Sequence, residues 1–296
     1  MRIRHLIRLT VVALILAMTL ISLTAYGGRS GQSSGVKTSR ENTFQIHFLN
    51  QGRVDAILIV SNGEAMFIDS GFRYDGLECI DYMRRMGITK LRYYVGTHAH
   101  RNHIGGAAPI IYNMRPERVF IPHAGVETAI VDYSVEGLER EAVVSAQYTV
   151  LSPGDSFRWN DLTITCLGPL AVRDCPKGAT MENYNSLILR IDRGDRQMVL
   201  LTGDTSAGIL NRIEKLRPGS IRAEILKNPH HNGAQPEATL RKIFPKIVAI
   251  CNNSLPSRTY RTRILKVGAV FYTASRNGSG NFVLENSGGE WVMYIT

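Results

Sequence analysis

The sequence predicts an α+β fold in which two β-sheets pack face to face and helices cover both outer surfaces, a four-layer αββα sandwich. Strand patterns dominate the start of the domain, at residues 44–50, 55–61 and 64–69, and Asn62-Gly63 predicts a hairpin turn between the last two. Helix and strand patterns then alternate, and this order occurs in two successive halves of the chain. Since 44% of the residues are hydrophobic, the chain can bury a large core between such layers.

The remaining elements follow from the spacing of apolar residues and from the turn residues between them. Residues 125–146 have a mixed pattern that is typical of a helix or a lid segment. Helices are predicted at residues 77–86, 107–113, 209–216, 237–243 and 258–267. Strands are predicted at residues 91–95, 118–121, 148–151, 156–159, 162–167, 186–191, 197–202, 221–227, 247–251, 270–273, 280–285 and 291–295.

Three regions differ in composition along the chain. Residues 1–28 carry three arginines before a strongly apolar run, which is typical of a signal peptide or of a single membrane anchor, and both interpretations stay open. Residues 29–42 are small and polar and predict a flexible linker. Residues 43–296 are the predicted folded domain. Because the arginines precede the apolar run, we expect the domain to lie outside the cytoplasm, either secreted or anchored.

The net charge of the chain is +10, and residues 1–45 carry half of it, with six Lys or Arg residues against one Glu. The remaining domain is therefore mildly basic. This suits an anionic substrate, either nucleic acid or an envelope polymer, as well as it suits an ordinary soluble surface. The same two interpretations apply to the basic helix at residues 258–267. We expect the N-terminal segment to contact the membrane, and no protein partner is evident from the sequence.

The four cysteines form no C-x-x-C pair, so the sequence does not support a cysteine-based zinc site. Cys79 and Cys251 lie in apolar surroundings and are expected to be buried thiols. Cys166 and Cys175 are close enough in sequence for a disulfide bond, which an exported protein can form.

The most specific chemical pattern is a histidine-rich loop that follows the predicted strand at residues 91–95. His98, His100 and His103 lie within six residues of one another, and two glycines follow them. Neutral imidazole is the commonest protein ligand for zinc and for similar metals. The pattern therefore favours a metal site over incidental histidines in a polar loop.

Two further polar positions follow predicted strands. Asp204 comes after an apolar strand, and the pair His230-His231 comes after another, so these residues and the histidine loop together predict a zinc site with open positions. Asp204 has an alternative role as the cap of the following helix. Adjacent histidines point in different directions, so we expect one of the pair to bind metal and the other to face substrate or support the ligands. Asp69 also ends a strand, and we expect it to hydrogen-bond to a ligand histidine.

The segment Thr97-His98-Ala99-His100-Arg101-Asn102-His103 resembles the H-x-H-x-D-H signature of the metallo-β-lactamase superfamily. Other segments resemble successive motifs of the hydrolase domain of the ComEC competence proteins, over about residues 44–296. These segments are residues 48–52, 55–59, 68–71, 182–190, 200–204, 227–231 and 271–273. The resemblance implies the metallo-β-lactamase form of the αββα sandwich, and it implies metal-dependent hydrolysis.

The resemblance also implies a set of site residues around one or two zinc ions, with manganese as an alternative metal. The first metal would be bound by the first two histidines of the motif, the second by the third histidine and one of the later pair, and the aspartate would bridge both. The expected metal ligands are His98, His100, His103, Asp204 and His230. The residues expected to take part in catalysis are Asp204, Asn102 and His231. The residues expected to lie beside the ligands without binding metal are Asp69, Asn183 and Asn185.

Asn102 is the main departure from the family signature, which has aspartate at this position. Asparagine is neutral, cannot act as a base and is a poor ligand for a hard dication. Two functions follow from the sequence. The first is an extracytoplasmic metal-dependent hydrolase of phosphodiester bonds, in DNA or in the cell envelope. The second is a catalytically weakened or inactive envelope-binding protein that keeps the fold.

Overall fold

The computed structural model describes residues 43–49, 52–170, 181–273 and 281–296. The strands of this part of the chain are β1 (Phe44–Phe48), β2 (Ala56–Ser61), β3 (Glu64–Asp69), β4 (Tyr93–Val95), β5 (Arg118–Ile121), β6 (Tyr148–Val150), β7 (Ser156–Trp159), β8 (Leu162–Gly168), β9 (Ile188–Arg193), β10 (Arg196–Leu201), β11 (Ile225–Lys227), β12 (Ile247–Ile250), β13 (Val270–Thr273), β14 (Phe282–Ser287) and β15 (Glu290–Ile295). Its helices are α1 (Arg73–Arg85), α2 (Arg101–Ile104), α3 (Ala107–Met114), α4 (Ala124–Tyr133), α5 (Leu138–Val144), α6 (Met181–Tyr184), α7 (Ala207–Leu216), α8 (Glu237–Ile243) and α9 (Arg258–Lys266).

The strands form two sheets. The first has the order β15-β14-β1-β2-β3-β4-β5-β6, and the second has the order β13-β12-β11-β10-β9-β8-β7. Each sheet is antiparallel at one side and parallel at the other, with parallel pairing from β3 to β6 and from β10 to β13. The C-terminal hairpin β14–β15 pairs with β1, so the two ends of the domain meet in one sheet.

Apolar side chains from the facing surfaces of the sheets form the central core, where Phe44, Ile57 and Leu189 are fully buried. A second apolar cluster joins the outer face of the first sheet to α1, α3, α4 and α5. A third cluster joins the outer face of the second sheet to α7, α8 and α9. The three apolar clusters lie between four successive layers, which are helices, the first sheet, the second sheet and helices. The predicted αββα sandwich is therefore confirmed.

Local sequence patterns account for most boundaries. Asn62 and Gly63 both have positive φ, at 49° and 83°, as a two-residue hairpin turn requires, and they join β2 to β3 as predicted. Residues 125–146 contain two helices, α4 and α5, where the sequence predicted one helix or a lid. The strand predicted at residues 221–227 is shorter, because only Ile225–Lys227 pairs with its neighbours.

The predicted thiols are also present. Cys79 and Cys251 are buried and free, and Cys166 is a third buried free thiol, while Cys175 lies outside the described residues. In the described ranges, no helix is both long and apolar enough to cross a bilayer. The predicted signal peptide or anchor and the linker lie outside the described residues, so they stay predictions.

The fold brings the polar loops of the two halves to one edge. Parallel strands place their carboxyl ends on the same side of a sheet, and ligands bind at such edges in open α/β sheets. In the first sheet, β3 ends at Asp69 and β4 leads into the histidine loop. In the second sheet, β10 leads to Asp204 and β11 leads to His231.

Candidate metal centre

The histidine loop runs from β4 into the short helix α2. His98 and His103 are fully buried, and their ring centroids lie 4.1 Å apart. His100 is half-buried, and its Nδ1 lies 3.1 Å from His98 Nε2. Burial and the neighbouring His103 hold the pKa of His98 well below its usual value, so this imidazole is in the neutral form that binds metals.

The glycines after the loop are required by close packing. A Cβ atom on Gly106 would lie 2.6 Å from the Cα atom of Gly76 in α1, so the backbones leave no room for a side chain. This contact fixes the end of the loop against α1, and Ser70 N donates to His103 O at 2.6 Å to fix its middle.

Asp69 supports the loop as the sequence predicted. Its carboxylate accepts hydrogen bonds from Thr97 N at 2.8 Å, from Thr97 Oγ1 at 2.7 Å and from His103 Nδ1 at 2.7 Å. Because Nδ1 of His103 is bound to this carboxylate, Nε2 is the nitrogen that faces the centre. Such a carboxylate–histidine pair is the usual arrangement behind a metal-binding imidazole.

Four buried residues from four separate segments of the chain converge at the centre: Asp55, His103, Asp204 and His231. One ligand atom from each lies within 4.8 Å of the others. His103 Nε2 is 3.2 Å from Asp204 Oδ1, His231 Nε2 is 3.5 Å from Asp204 Oδ2, and His231 Nδ1 is 3.2 Å from Asp55 Oδ1. The structure therefore brings together three of the predicted site residues and adds Asp55.

The electrostatics of the group favour a positive charge between its carboxylates. Burial lowers the pKa of His103, but Asp204, Asp69 and Asp55 outweigh this effect and raise the pKa to about 10. Burial raises the pKa of Asp204, but His103 and Lys227 more than offset this and hold it well below its usual range. The carboxylates are ionised, and a cation at Nε2 of His103 would take the place of the proton there.

Two atoms of the group that lack a well-directed hydrogen bond test whether a metal fits. His103 Nε2 and Asp204 Oδ1 are both buried and face each other at 3.2 Å, but neither makes a well-directed hydrogen bond to any residue within the described ranges. Buried polar atoms without partners are rare in folded proteins, and here one is an imidazole nitrogen and the other a carboxylate oxygen. Nitrogen and oxygen donors of these types are ligands of zinc and manganese, so the residues present fit a divalent cation.

Asp55 and Lys227 are two site residues that sequence reasoning missed. Lys227 ends β11 and is 1% exposed, and its Nζ contacts the Asp55 carboxylate and donates to Gly203 O at 3.0 Å. Burial raises the pKa of Asp55, but Lys227, His231 and His103 together hold it below its usual value. The signs in the sequence were that both residues begin segments of the family resemblance, residues 55–59 and 227–231, and that Lys227 ends an apolar strand, which predicts a buried partner without identifying it.

The histidine pair divides into a buried and an exposed member. His231 is 1% exposed and lies in the central group, whereas the side chain of His230 is 46% exposed, with Nε2 3.8 Å from Asp204 Oδ2. Both residues have positive φ, at 51° and 55°, in the left-handed region that residues other than glycine rarely adopt. The geometry favours His231 as the metal ligand, whereas His230, the predicted ligand, lies at the rim beside the same carboxylate.

Asn228 shapes the loop that carries this pair, and sequence reasoning missed it. Its Nδ2 lies within hydrogen-bond distance of three carbonyl oxygens, those of Pro229, His231 and Gly233, at 3.2, 3.0 and 3.0 Å. Tyr260 in α9 donates to Asn228 Oδ1. A fully buried asparagine thus fixes the backbone on both sides of His231.

Asn102 lies in α2 and faces the centre. Its Nδ2 is 2.9 Å from His231 Nε2 and 3.5 Å from Arg53 O. When Asn102 donates to Nε2, the Nδ1 of His231 carries the proton and donates to Asp55. The amide of Asn102 therefore occupies the nitrogen that would otherwise face a cation.

The two remaining predicted positions lie on the second half of the chain. Asn183 lines a cavity beside Asp204, and its Oδ1 is buried with no partner in the described part of the chain. Asn185 is half-buried and precedes Ser186, whose Oγ accepts a hydrogen bond from Asp204 N at 3.1 Å. The alternative role of Asp204 as a helix cap is excluded, since Ser206 caps α7 by accepting from Ile209 N at 3.3 Å.

Two cavities open beside the centre and meet at His230 and Gly233. One has a volume of about 510 Å³ and is lined by Arg53, Asn232, Asn252 and Asn253. The other has a volume of about 400 Å³ and lies on the Asp204 side. Both are in the size range of small-molecule sites.

Comparison with known sequences gives two distant relatives. No protein-family model matches the chain. ComE operon protein 3 of Bacillus subtilis is 27% identical over 173 residues, which cover 58% of this chain and 21% of that protein. Recombination protein 2 of Haemophilus influenzae is 25% identical over 216 residues, which cover 70% of this chain and 24% of that protein. The chain thus spans about a fifth to a quarter of the length of these curated relatives.

Comparison with solved structures gives the fold. The metallo hydrolase Igni18 of the archaeon Ignicoccus hospitalis matches with a TM-score of 0.52 at 16% identity, over 86% of this chain and 99% of that chain. The metallo-β-lactamase fold protein YhfI of Bacillus subtilis matches with a TM-score of 0.55 at 15% identity, over 82% of this chain and 99% of that chain. The chain therefore has the metallo-β-lactamase fold, and its curated relatives are ComEC-like.

Proposed function

We propose that the chain is a metal-dependent hydrolase that acts outside the cytoplasm on phosphodiester bonds, in nucleic acid or in a cell-envelope polymer. The observation that carries the proposal is the buried contact at the centre between His103 Nε2 and Asp204 Oδ1, which lie 3.2 Å apart although neither atom makes a well-directed hydrogen bond to a described residue. A divalent cation held by this group would lower the pKa of a bound water molecule and polarise the phosphorus under attack.

The residues of the chain orient the reactants and accept protons. Asp69 holds His103 through Nδ1, so that Nε2 is presented in a fixed direction. His230 stands at the mouth of both cavities, and burial keeps its pKa below the usual value, so its neutral imidazole can accept a proton from water. Asn102 cannot take this role, because an amide does not accept a proton at neutral pH.

The charge of the chain and the names of its relatives support the narrower substrate class. The domain is mildly basic, and Arg53 lines the cavity next to the centre. One relative is named Recombination protein 2, which associates it with nucleic acid. The basic, apolar start of the sequence supports a location outside the cytoplasm.

A second function is favoured by one contact. The hydrogen bond from Asn102 Nδ2 to His231 Nε2, at 2.9 Å, competes with a cation for that nitrogen. A chain with this contact can keep the fold and bind an envelope component with weak catalysis or none. The two functions differ in metal content and in turnover.

The test is metal analysis of the purified full-length chain together with hydrolysis of bis(p-nitrophenyl) phosphate. We expect bound zinc, turnover, and a fall in kcat/KM of about 100-fold or more in His103→Gln. His123→Gln is the matched control, because His123 caps α4 through a hydrogen bond from Gly125 N and lies outside the centre. A wild-type chain without transition metal and without turnover would contradict the hydrolase and favour the binding protein.

Asn102→Asp distinguishes two roles of the asparagine, as a residue that weakens the metal site or as a residue that serves the reaction. If Asn102 weakens an ancestral site, the aspartate variant gains zinc affinity and activity, since it restores a charged ligand. If the asparagine serves the present reaction, the same variant loses activity while it still binds zinc.

A further inference from the structure

The cavity on the Asp204 side has a chemical character of its own. Its polar wall consists of Asn183, Asp204, Thr205, Ser206, His230 and Gln235, and we call it the Asp204-side cavity. It shares Asp204 and His230 with the metal centre, so a group bound there lies directly beside the reacting atoms.

Besides Asp204 Oδ1, which faces His103 in the metal centre, three atoms of residues in this wall are buried without a hydrogen-bond partner in the described ranges: Asn183 Oδ1, Thr205 Oγ1 and Gln235 Oε1. Thr205 is 2% exposed and Gln235 is 4% exposed, so bulk water has little access to these two residues. Buried polar atoms normally have partners, and three exceptions in one cavity wall require an explanation.

The orientation of the Gln235 amide is fixed. Its Nε2 donates to Gly233 O at 2.9 Å, so Oε1 is the end that remains available. Gly233 itself has no room for a side chain, because a Cβ atom would lie 2.8 Å from Pro229 O. The amide is thus held by a rigid loop and not by chance rotation of an exposed side chain.

The available atoms select for a ligand that donates hydrogen bonds. Two are amide oxygens, which only accept, and the third is a hydroxyl, which donates or accepts. An anionic group would face acceptors, and an ammonium group would need a carboxylate of its own. Asp204 cannot supply this, since it already faces His103 at 3.2 Å. Neutral hydroxyl groups satisfy all three atoms without adding charge.

We propose that the Asp204-side cavity is a subsite for a hydroxyl-bearing group of the substrate, a sugar or polyol attached to the phosphate, with Thr205, Gln235 and Asn183 as its specificity-determining residues. This inference rests on the proposed phosphodiesterase function, because it assigns one arm of that substrate. The cavity volume of about 400 Å³ accommodates a group of this size.

The test compares three phosphate ligands of the zinc-loaded, full-length chain by isothermal titration calorimetry. D-ribose 5-phosphate carries a sugar, glycerol 3-phosphate carries a polyol, and methyl phosphate carries neither. We expect at least one of the first two to bind about fivefold or more tightly than methyl phosphate, as expected for one or two added hydrogen bonds. The preferred member identifies the source of the hydroxyl groups.

Two variants assign the preference to the cavity. Thr205→Val keeps the shape of the side chain and removes the hydroxyl, and Gln235→Met keeps its length and removes the amide. For each variant, we expect the dissociation constant of methyl phosphate divided by that of the preferred ligand to fall close to one. Thr163→Val in β8 is the matched control and keeps the wild-type ratio. Thr163 pairs with Arg158 in the β7–β8 hairpin and is not among the described residues that line the cavity. Thermal unfolding of each variant checks that it folds.

The outcomes separate this inference from the proposed function. Equal affinity for all three ligands, no measurable binding by any of them, or a preference that survives both variants would overturn the subsite. Hydrolysis of bis(p-nitrophenyl) phosphate is measured on the same preparations. Turnover without a preference overturns the subsite alone, whereas a preference without turnover overturns the proposed hydrolysis and leaves the subsite in place.

Discussion

Replacing Lys227 by methionine should destabilise the metal-free protein through a single buried charge. Lys227 Nζ contacts the Asp55 carboxylate and donates to Gly203 O at 3.0 Å, and both charged side chains are almost completely buried. Asp55 lies before β2 in the first sheet, and Lys227 ends β11 in the second. The ion pair therefore joins the two sheets at the edge where the centre lies.

The size of the effect follows from what remains after the change. Removing one partner of a buried ion pair costs about 3–5 kcal/mol, because the other charge stays buried and uncompensated. Asp55 keeps His231 Nδ1 at 3.2 Å and His103 Nδ1 at 3.7 Å, so the lower end, about 3 kcal/mol, is expected. Methionine fills the space of the lysine stem, so little packing is lost. In a domain of this length, about 3 kcal/mol lowers Tm by about 6–12 °C.

Thermal and urea unfolding of EDTA-treated protein measure this loss, and Lys266→Met is the control. Lys266 is exposed in α9, and its replacement should change the free energy of unfolding by no more than about 0.5 kcal/mol. The double variant Asp55→Asn/Lys227→Met should recover part of the loss, since it removes the unpaired charge. Zinc should also reduce the loss, because a nearby cation compensates Asp55. If metal-free Lys227→Met unfolds like the control, the ion pair does not join the sheets as described.

Two further predictions concern the support of the centre and the acid stability of the fold. Asp69→Asn should weaken zinc binding by about 10- to 100-fold in a competition titration with a chelating dye, because His103 loses the carboxylate that fixes its ring, while the exposed Asp81→Asn should bind zinc like the wild type. Burial lowers the pKa of His47, which contacts Tyr82 OH at 2.8 Å, from 6.5 to about 4. The unfolded chain therefore binds a proton on this residue at higher pH than the folded chain, and stability is lost as pH falls from about 6.5 to about 4. As pH falls from 7 to 4, the free energy of unfolding of His47→Gln, measured with urea, should rise by about 3 kcal/mol relative to that of the wild type. A difference between the two proteins that does not change with pH would refute this.

The sequence predicted those elements whose pattern is local. Asn62-Gly63 has few conformations other than the hairpin turn that joins β2 to β3, and the apolar run before Gly203-Asp204 has few alternatives to a buried strand. The apolar pattern at residues 221–227 predicted a strand that is longer than the one observed, Ile225–Lys227. Ile221 and Ala223 are buried as a strand residue would be, but they pack against the outer helices before the strand pairing begins.

The site was predicted where its residues are close in sequence and was incomplete where they are not. His98, His100 and His103 share one loop, and a carboxylate at the end of β3 supports that loop through His103. Nothing in the local sequence distinguishes His230 from His231. Their division into a rim residue and a buried residue depends on Asn228, whose side chain fixes the loop backbone, and on Tyr260 from a distant helix.

The sequence by itself determined the order of the strands and of the longer helices outside residues 124–144, the histidine loop and the departure at Asn102, because each of these depends on neighbouring residues and on the preferences of single side chains. Only the tertiary structure decided that Asp55 completes the central group, that Lys227 holds its charge, and that the amide of Asn102 reaches His231. These contacts join the two sheets between residues far apart in the chain. Electrostatic interactions in a buried centre depend on distances of a few ångströms, and only the packing of the layers sets those distances.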